Sequence, residues 1–476
     1  MFNRIAIIKI IFLLIANSVN SQDTHYWTQQ YGTRSTLFAG AVIGGVRDNS
    51  AIYYNPGALG FLHNKDLSVS ANAYQLDRIK MNNGGGTNVD LKSSTLQTMP
   101  LIISGIFKLK KRPRHTVGYC LLTKDQFNIK TSARVDDFRN LINDSLSPGD
   151  EDYIGQMNLK SSVYEMLSGW GYGFKVSDKF SIGFGNYGSY RSFHSDWYRV
   201  SRVVPTDTSS NASIATFNRN YSIELKNVRT VFKIGAAFNL IKWKFGLTVT
   251  SPSINVWGNA NILSDVTSVN VDANNNGVLE NFTANDRQDK LKTNYKTPLI
   301  IGFGLEYADS NNVIAFSCEW FDKVKNYTIL EPEAKAYYRP ASYNPLESDL
   351  ALAIKEEKKS VFNFAVAYER RVNSKYSTSV GFRTNNSYST QNKLNPINLT
   401  YTNWNIYHFT WGITKKREKS DFSLAVNYAF GGKKDQYQWV NLSNVNSSNY
   451  FIGNPEITTV KYSSLSVVIG YTHYLK

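Results

Sequence analysis

The sequence predicts an all-β chain: an about 14-stranded antiparallel transmembrane β-barrel, plugged from within by its N-terminal segment. Three observations predict it. Apolar and polar residues alternate with a period of two, in runs near the about 9–11 residues that a tilted strand needs to cross a bilayer. The connections between runs alternate strictly between short and long. Beyond the first residues, no apolar run approaches the about 20 residues of a spanning helix, which leaves a barrel or a secreted soluble chain.

The N-terminus places the chain outside the cytoplasm. Arg4 and Lys9 bracket a short apolar run from Ile5 to Ala16, and small polar residues follow to Ser21. That order describes a secretory signal peptide over 1–21. The mature chain then divides into 22–62, which lacks the strand pattern, and a barrel over 63–476.

The alternation is clearest late in the chain. Phe422, Leu424, Val426, Tyr428 and Phe430 form one phase; Asp421, Ser423, Ala425, Asn427 and Ala429 form the other. Strands are expected near 67–76, 97–108, 115–126, 163–176, 180–193, 222–239, 243–251, 294–308, 312–325, 360–371, 376–386, 404–414, 420–430 and 461–475. Short connections fall near 109–114, 177–179, 240–242, 309–311, 372–375 and 415–419. Long ones fall near 77–96, 127–162, 194–221, 252–293, 326–359, 387–403 and 431–460. Short turns at one rim and long loops at the other are the asymmetry of a bacterial outer-membrane barrel, whereas a soluble sandwich gives no reason for it. Trp170, Tyr172, Trp243, Trp320, Phe321, Trp404, Tyr407, Trp411, Tyr428 and Phe430 lie near strand ends, where aromatic girdles are expected.

Charge and cysteine content limit the partners. A formal charge of +16 calls for an anionic neighbour. With an export signal and no nucleic-acid motif, phosphorylated outer-membrane lipid (lipopolysaccharide) fits better than nucleic acid. Cys120 and Cys318 fall on opposite phases of their strands and are expected as free thiols.

Residues 32–62 carry a more specific pattern. A Gly-rich small apolar stretch runs from Leu37 to Gly45. Asp48, Ser50-Ala51-Ile52, Tyr53-Tyr54 and Asn55-Pro56-Gly57 follow. This resembles the hatch of the FadL/TodX outer-membrane transporters of long-chain fatty acids and aromatic hydrocarbons. That family usually continues Asn-Pro-Ala, so Gly57 departs from it. The resemblance implies a fourteen-stranded barrel in which an N-terminal hatch gates passive passage of a hydrophobic small molecule; the residues themselves offer no catalytic constellation or metal cluster, so no enzyme activity and no cofactor are expected. The resemblance also implies an inward kink in the third strand, for which Gly118 is the candidate because glycine in strands marks bends. A ligand carboxylate would need a cation; Arg34 and Arg47 are candidates, against the alternative that they form salt bridges to Asp48 or the wall. The competing functional class is an accessory barrel subunit of a larger secretion or barrel-assembly complex, with outer-membrane protein partners.

Other constellations are weaker. Gly183 to Gly188 spells G-x-G-x-x-G but lies inside a strand, without the helix that a dinucleotide site requires. Its glycines are better read as facing a crowded lumen. Asp272, Asn274, Asn276 and Gly277 fit the start of a calcium loop, with Glu280 or Asp286 as substitutes for the acid missing at Thr283; an Asn-rich turn is the competing reading. In His194-Ser195-Asp196, neighbours point to opposite faces of a strand, so the three cannot form a relay.

Overall fold

The structure, a computed structural model, describes residues 24–62, 65–109, 111–142, 147, 149–207, 213–271, 279–340, 346–390, 402–447, 449 and 451–475. The expected signal peptide, 1–21, and residues 272–278 of the candidate calcium loop lie outside the described residues. Glu280 opens a strand and is buried.

Hairpins build the wall. β1 (Lys65–Gly86), β2 (Val89–Leu109), β3 (Arg112–Arg139), β4 (Glu151–Lys175), β5 (Phe180–Val204) and β6 (Ala215–Asn239) pair each with the next. β7 (Trp243–Thr250) and β8 (Ile254–Val271) both pair with β6 and act as one interrupted strand. β9 (Glu280–Leu291) pairs with β8, and β10 (Ile300–Ala308) with β7, so they form the next. After β11 (Asn312–Phe321), an excursion carries β12 (Val324–Leu330), β13 (Tyr338–Arg339) and β14 (Ile354–Lys358). β15 (Val361–Arg371), β16 (Tyr376–Asn385), β17 (Ile406–Lys416), β18 (Ser420–Tyr437) and β19 (Ile457–Leu475) complete the circuit. β1 pairs with both β2 and β19, which closes a fourteen-stranded antiparallel barrel with no free edge.

Alternation along each strand sorts side chains between two environments. Phe422, Leu424 and Tyr428 of β18 are exposed on the outer wall, directly opposite the exposed Tyr471, Ile469 and Leu465 of β19. Ser423, Ala425 and Ala429 between them are buried inward. Trp170, Trp243, Trp320 and Trp411 also face out. Phe321 and Trp404 do not: both are buried in the interior, so they leave the expected girdle. Cys120 is buried, Cys318 is not, and neither is in a disulfide.

The long connections differ most from expectation. Most of the stretch 127–162 is strand: β3 runs on to Arg139 and β4 starts at Glu151, in continuous register. Beyond the apolar band the faces exchange chemistry. Lys130, Ser132 and Arg134 point outward, while Ile129 and Ala133 pack inward. The strand persists, but its outer phase turns polar, which erases the pattern that marks a lipid-facing strand. A second change comes from a register shift between Thr123 and Asp125. It moves the inward residues from even numbers (Cys120, Leu122) to odd ones (Asp125, Ile129), as an inserted residue does at a bulge.

That shift does not fall at Gly118, nor does the other irregularity of the third strand, between Arg112 and Thr116. Gly118 sits in an unbroken ladder between Ile106 and Gly171. The β2–β3 ladder stops at Ile102 opposite Leu122. Past that pair, side chains bridge the two strands: Lys130 N donates to Ser93 Oγ (3.0 Å), and Asn128 Nδ2 to Gln97 Oε1 (3.0 Å).

Besides a small cluster around Tyr153, Val203 and Val271, two large cores fill the barrel. One, toward the long-loop end, joins Met157, Trp197 and Tyr221 of the wall to Tyr337 and Leu352 of the 322–360 excursion and to Trp439 and Leu442. The other forms around residues 24–62, which lie inside the wall.

Candidate functional site

The N-terminal segment docks through a few polar clamps. Asp48 accepts from Thr33 Oγ1 (3.2 Å), Arg34 N (3.0 Å) and Ser50 N (3.0 Å). One carboxylate thereby joins the start of the short helix Thr33–Leu37 to the start of Ala51–Tyr54, where free backbone N–H groups favour an anion. Asn55 adopts the extended backbone expected before proline, and Pro56 opens a 3-10 turn over Pro56–Phe61. The Asn55 amide donates to the carbonyls of Ile43 (3.1 Å) and Ala236 (3.0 Å), and its oxygen accepts from Gly57 N (3.0 Å). It ties the segment to itself and to β6. Gly57 lies against the wall backbone; a Cβ there would stand 2.6 Å from the Gly235 carbonyl oxygen. The departure from Asn-Pro-Ala therefore has a steric cause in this chain.

Wall glycines are the other half of the dock. Cβ atoms on Gly183, Gly246 and Gly304 would overlap the backbone of Pro56, Ile43 and Gly44 respectively. The G-x-G run in β5 is thus partly a landing strip for the N-terminal segment. Tyr187 of the same run donates to the Ile52 carbonyl.

Arg34 and Arg47 both meet Glu306 of β10, a carboxylate 1% exposed that Lys244 Nζ also reaches at 3.2 Å. Arg34 further approaches Glu369 at 3.7 Å and stacks on Phe38. Of the two readings of these arginines, the structure places them in salt bridges to the wall. His194 Nε2 pairs with Asp196 Oδ2 at 2.7 Å on one face of β5, and Ser195 is buried on the other.

Between the N-terminal segment and the wall lies a cavity of about 60 Å³. Tyr26 and Tyr53 close one side; Leu167, Val231, Ile300 and Phe321 make the apolar wall. Burial pushes the Tyr26 and Tyr53 phenols well above the ordinary tyrosine range, so both line it as neutral hydroxyls. Three charged groups enter. Lys124, at the β3 register shift, is paired with Glu165 (3.0 Å), which Arg191 (2.8 Å) and Arg229 (2.5 Å) also hold. Glu319 accepts from Trp27 Nε1 (2.5 Å). Lys233 donates from Nζ to the Tyr53 carbonyl (2.8 Å) and lies over the Tyr53 ring. Among the described residues, no carboxylate is within 4.0 Å of it. Sequence periodicity marks Lys233 only as one more inward polar residue; that it is left without a carboxylate depends on where Glu165 and Glu306 are consumed.

An N-terminal segment lodged inside a closed fourteen-stranded wall, with an apolar cavity between the two, defines a plugged barrel. Its fold is FadL/TodX-like. A FadL homologue from Pseudomonas aeruginosa aligns over 95% of this chain and 100% of its own at 11% identity, with a TM-score of 0.62. The toluene transporter TodX of P. putida (12% identity, 94% and 99% covered, TM-score 0.57) and TbuX of Ralstonia pickettii (12%, 94% and 99%, 0.53) are also similar. No protein-family model and no curated sequence matches the chain.

Proposed function

We propose that the chain is an outer-membrane channel through which a hydrophobic small molecule passes by way of the cavity beneath Tyr26 and Tyr53. The observation that carries this reading is the cavity itself: apolar, inside the wall, bounded by the N-terminal segment, and holding one buried cation without a carboxylate partner. Burial of an acyl chain there contributes about 0.8 kcal/mol per CH₂. Lys233 suits an anionic head group on that chain, since a charged hydrogen bond is worth about 1.5–3 kcal/mol. The toluene transporters and the FadL homologue that share the fold support the same assignment by analogy. Residues 24–62 would act as the hatch. The β3 register shift, where Lys124 meets the cavity and backbone pairing with β2 ends, marks the exit toward lipid. The apolar outer band and the net positive charge fit a bilayer whose outer leaflet carries phosphorylated lipid.

Titration of the detergent-solubilised protein with a fluorescent long-chain fatty acid tests this. Lys233→Met should weaken binding of the acid about tenfold or more and leave binding of a neutral hydrocarbon of equal length within about twofold. Absence of binding by the folded wild type, especially with stoichiometric protein partners in native mass spectra, would favour the accessory-subunit class instead.

A further inference from the structure

A second cavity lies on the opposite side of the N-terminal segment, and its chemistry is the reverse of the first. It measures about 20 Å³ and is walled mostly by amides and hydroxyls, including Gln29, Gln30, Thr410 and Asn427, with Arg383 of β16 and two apolar residues, Leu101 and Val468. Arg383 is 3% exposed. Its Nη2 donates to the Thr28 carbonyl (2.9 Å) and to His408 Nδ1 (3.0 Å). Accepting at Nδ1 leaves the His408 ring neutral, so it supplies no counter-charge. Arg383 Nε is buried without a hydrogen-bond partner. Among the described residues, no carboxylate lies within 4.0 Å of this guanidinium.

The two glutamines offer donors. Gln29 Oε1 is taken by Asn72 Nδ2 (3.2 Å), and Gln30 Oε1 by Tyr54 OH (2.8 Å) and Ser35 Oγ (3.3 Å). What the two glutamines have left for the cavity is N–H. An arginine keeps its charge at any ordinary pH, and a buried charge needs an opposite one near it. We propose that this cavity is an anion site, and that its occupant is a small inorganic anion of the chloride kind, held by Arg383 and the amides of Gln29 and Gln30. A fatty acid does not fit it, because the space is too small for a tail.

Crystals of the full mature chain grown with bromide in place of chloride test the site by anomalous diffraction. The expected result is a bromide peak within hydrogen-bonding reach of Arg383 Nε in the wild type, lost in Arg383→Gln and kept in Arg383→Lys. Should Arg383→Gln not yield a folded barrel, Gln29→Glu serves instead: its carboxylate supplies the missing charge and should exclude bromide while the barrel folds. An ordered water without bromide in the wild type overturns the proposal, as does a peak undiminished in Arg383→Gln or Gln29→Glu. Neither outcome bears on fatty-acid binding in the other cavity.

Discussion

Replacing Glu306 with alanine is expected to release the N-terminal segment from the wall while the barrel stays closed. Glu306 is 1% exposed and pairs with Arg34, Arg47 and Lys244. Removing one partner from a buried ion pair costs about 3–5 kcal/mol, mostly because the opposite charge is left without compensation. Here three cations would be left together, with Glu369, 3.7 Å from Arg34, as the remaining carboxylate partner. Arg47 is 37% exposed and can turn toward water, so the main cost falls on Arg34, which belongs to the docked segment itself. The ladders from β10 to β7 and β11 are backbone pairs and do not depend on this side chain. The measurement is limited proteolysis in detergent. Cleavage within 24–62 should accelerate about a hundredfold or more, as about 3 kcal/mol implies, with the barrel fragment still resistant. Unchanged protection would show that the cage does not hold the segment.

Gly246→Val is expected to have the next largest effect, by sterics alone. The new Cβ would overlap the Ile43 carbonyl and stand 2.7 Å from Asn55 Nδ2. It would wedge apart the hydrogen bond between them. Overpacking costs about 1–3 kcal/mol where side chains can yield; here the obstacle is backbone held on two sides, so the upper end applies. Gly188→Ala is the control: its Cβ would meet nothing closer than 3.9 Å. Thermal release of the segment, followed by a fluorophore placed on it, should shift down in Gly246→Val and stay unchanged in Gly188→Ala. An equal response in both would remove the close-approach argument.

How much of this was legible in the sequence depended on whether a single strand or its neighbours made the feature. The count of fourteen came through because lipid-facing alternation, as in Phe422 to Phe430, is a property of one strand. Strand length did not come through. Past the apolar band, Lys130 and Arg134 take over the outward positions, so continued β structure reads as polar loop. The shift at Thr123–Asp125 was hidden for a related reason, since one inserted residue inverts the phase on which the reading depends. Trp404 and Phe321 show that an aromatic at a strand end does not reveal which way it points. The Asn55-Pro56 turn and the capping by Asp48 are local, and the sequence marks them. Which cation is spare is not local. Arg47 stands beside Asp48 in the chain and Arg34 lies 14 positions before it, but Glu306, some 260–270 positions later, consumes both, and Lys233 and Arg383 are left with no carboxylate.

The central claim is that a hydrophobic solute crosses the membrane through the space beneath Tyr26 and Tyr53. Uptake of a radiolabelled long-chain fatty acid by a Gram-negative host lacking its own such channel, with this chain expressed and folded in its outer membrane, tests that most directly. The wild type should restore uptake, and Leu167→Trp, which fills the cavity from the wall, should abolish it at equal barrel abundance. Uptake absent with the wild type, or undiminished when the cavity is filled, would contradict it.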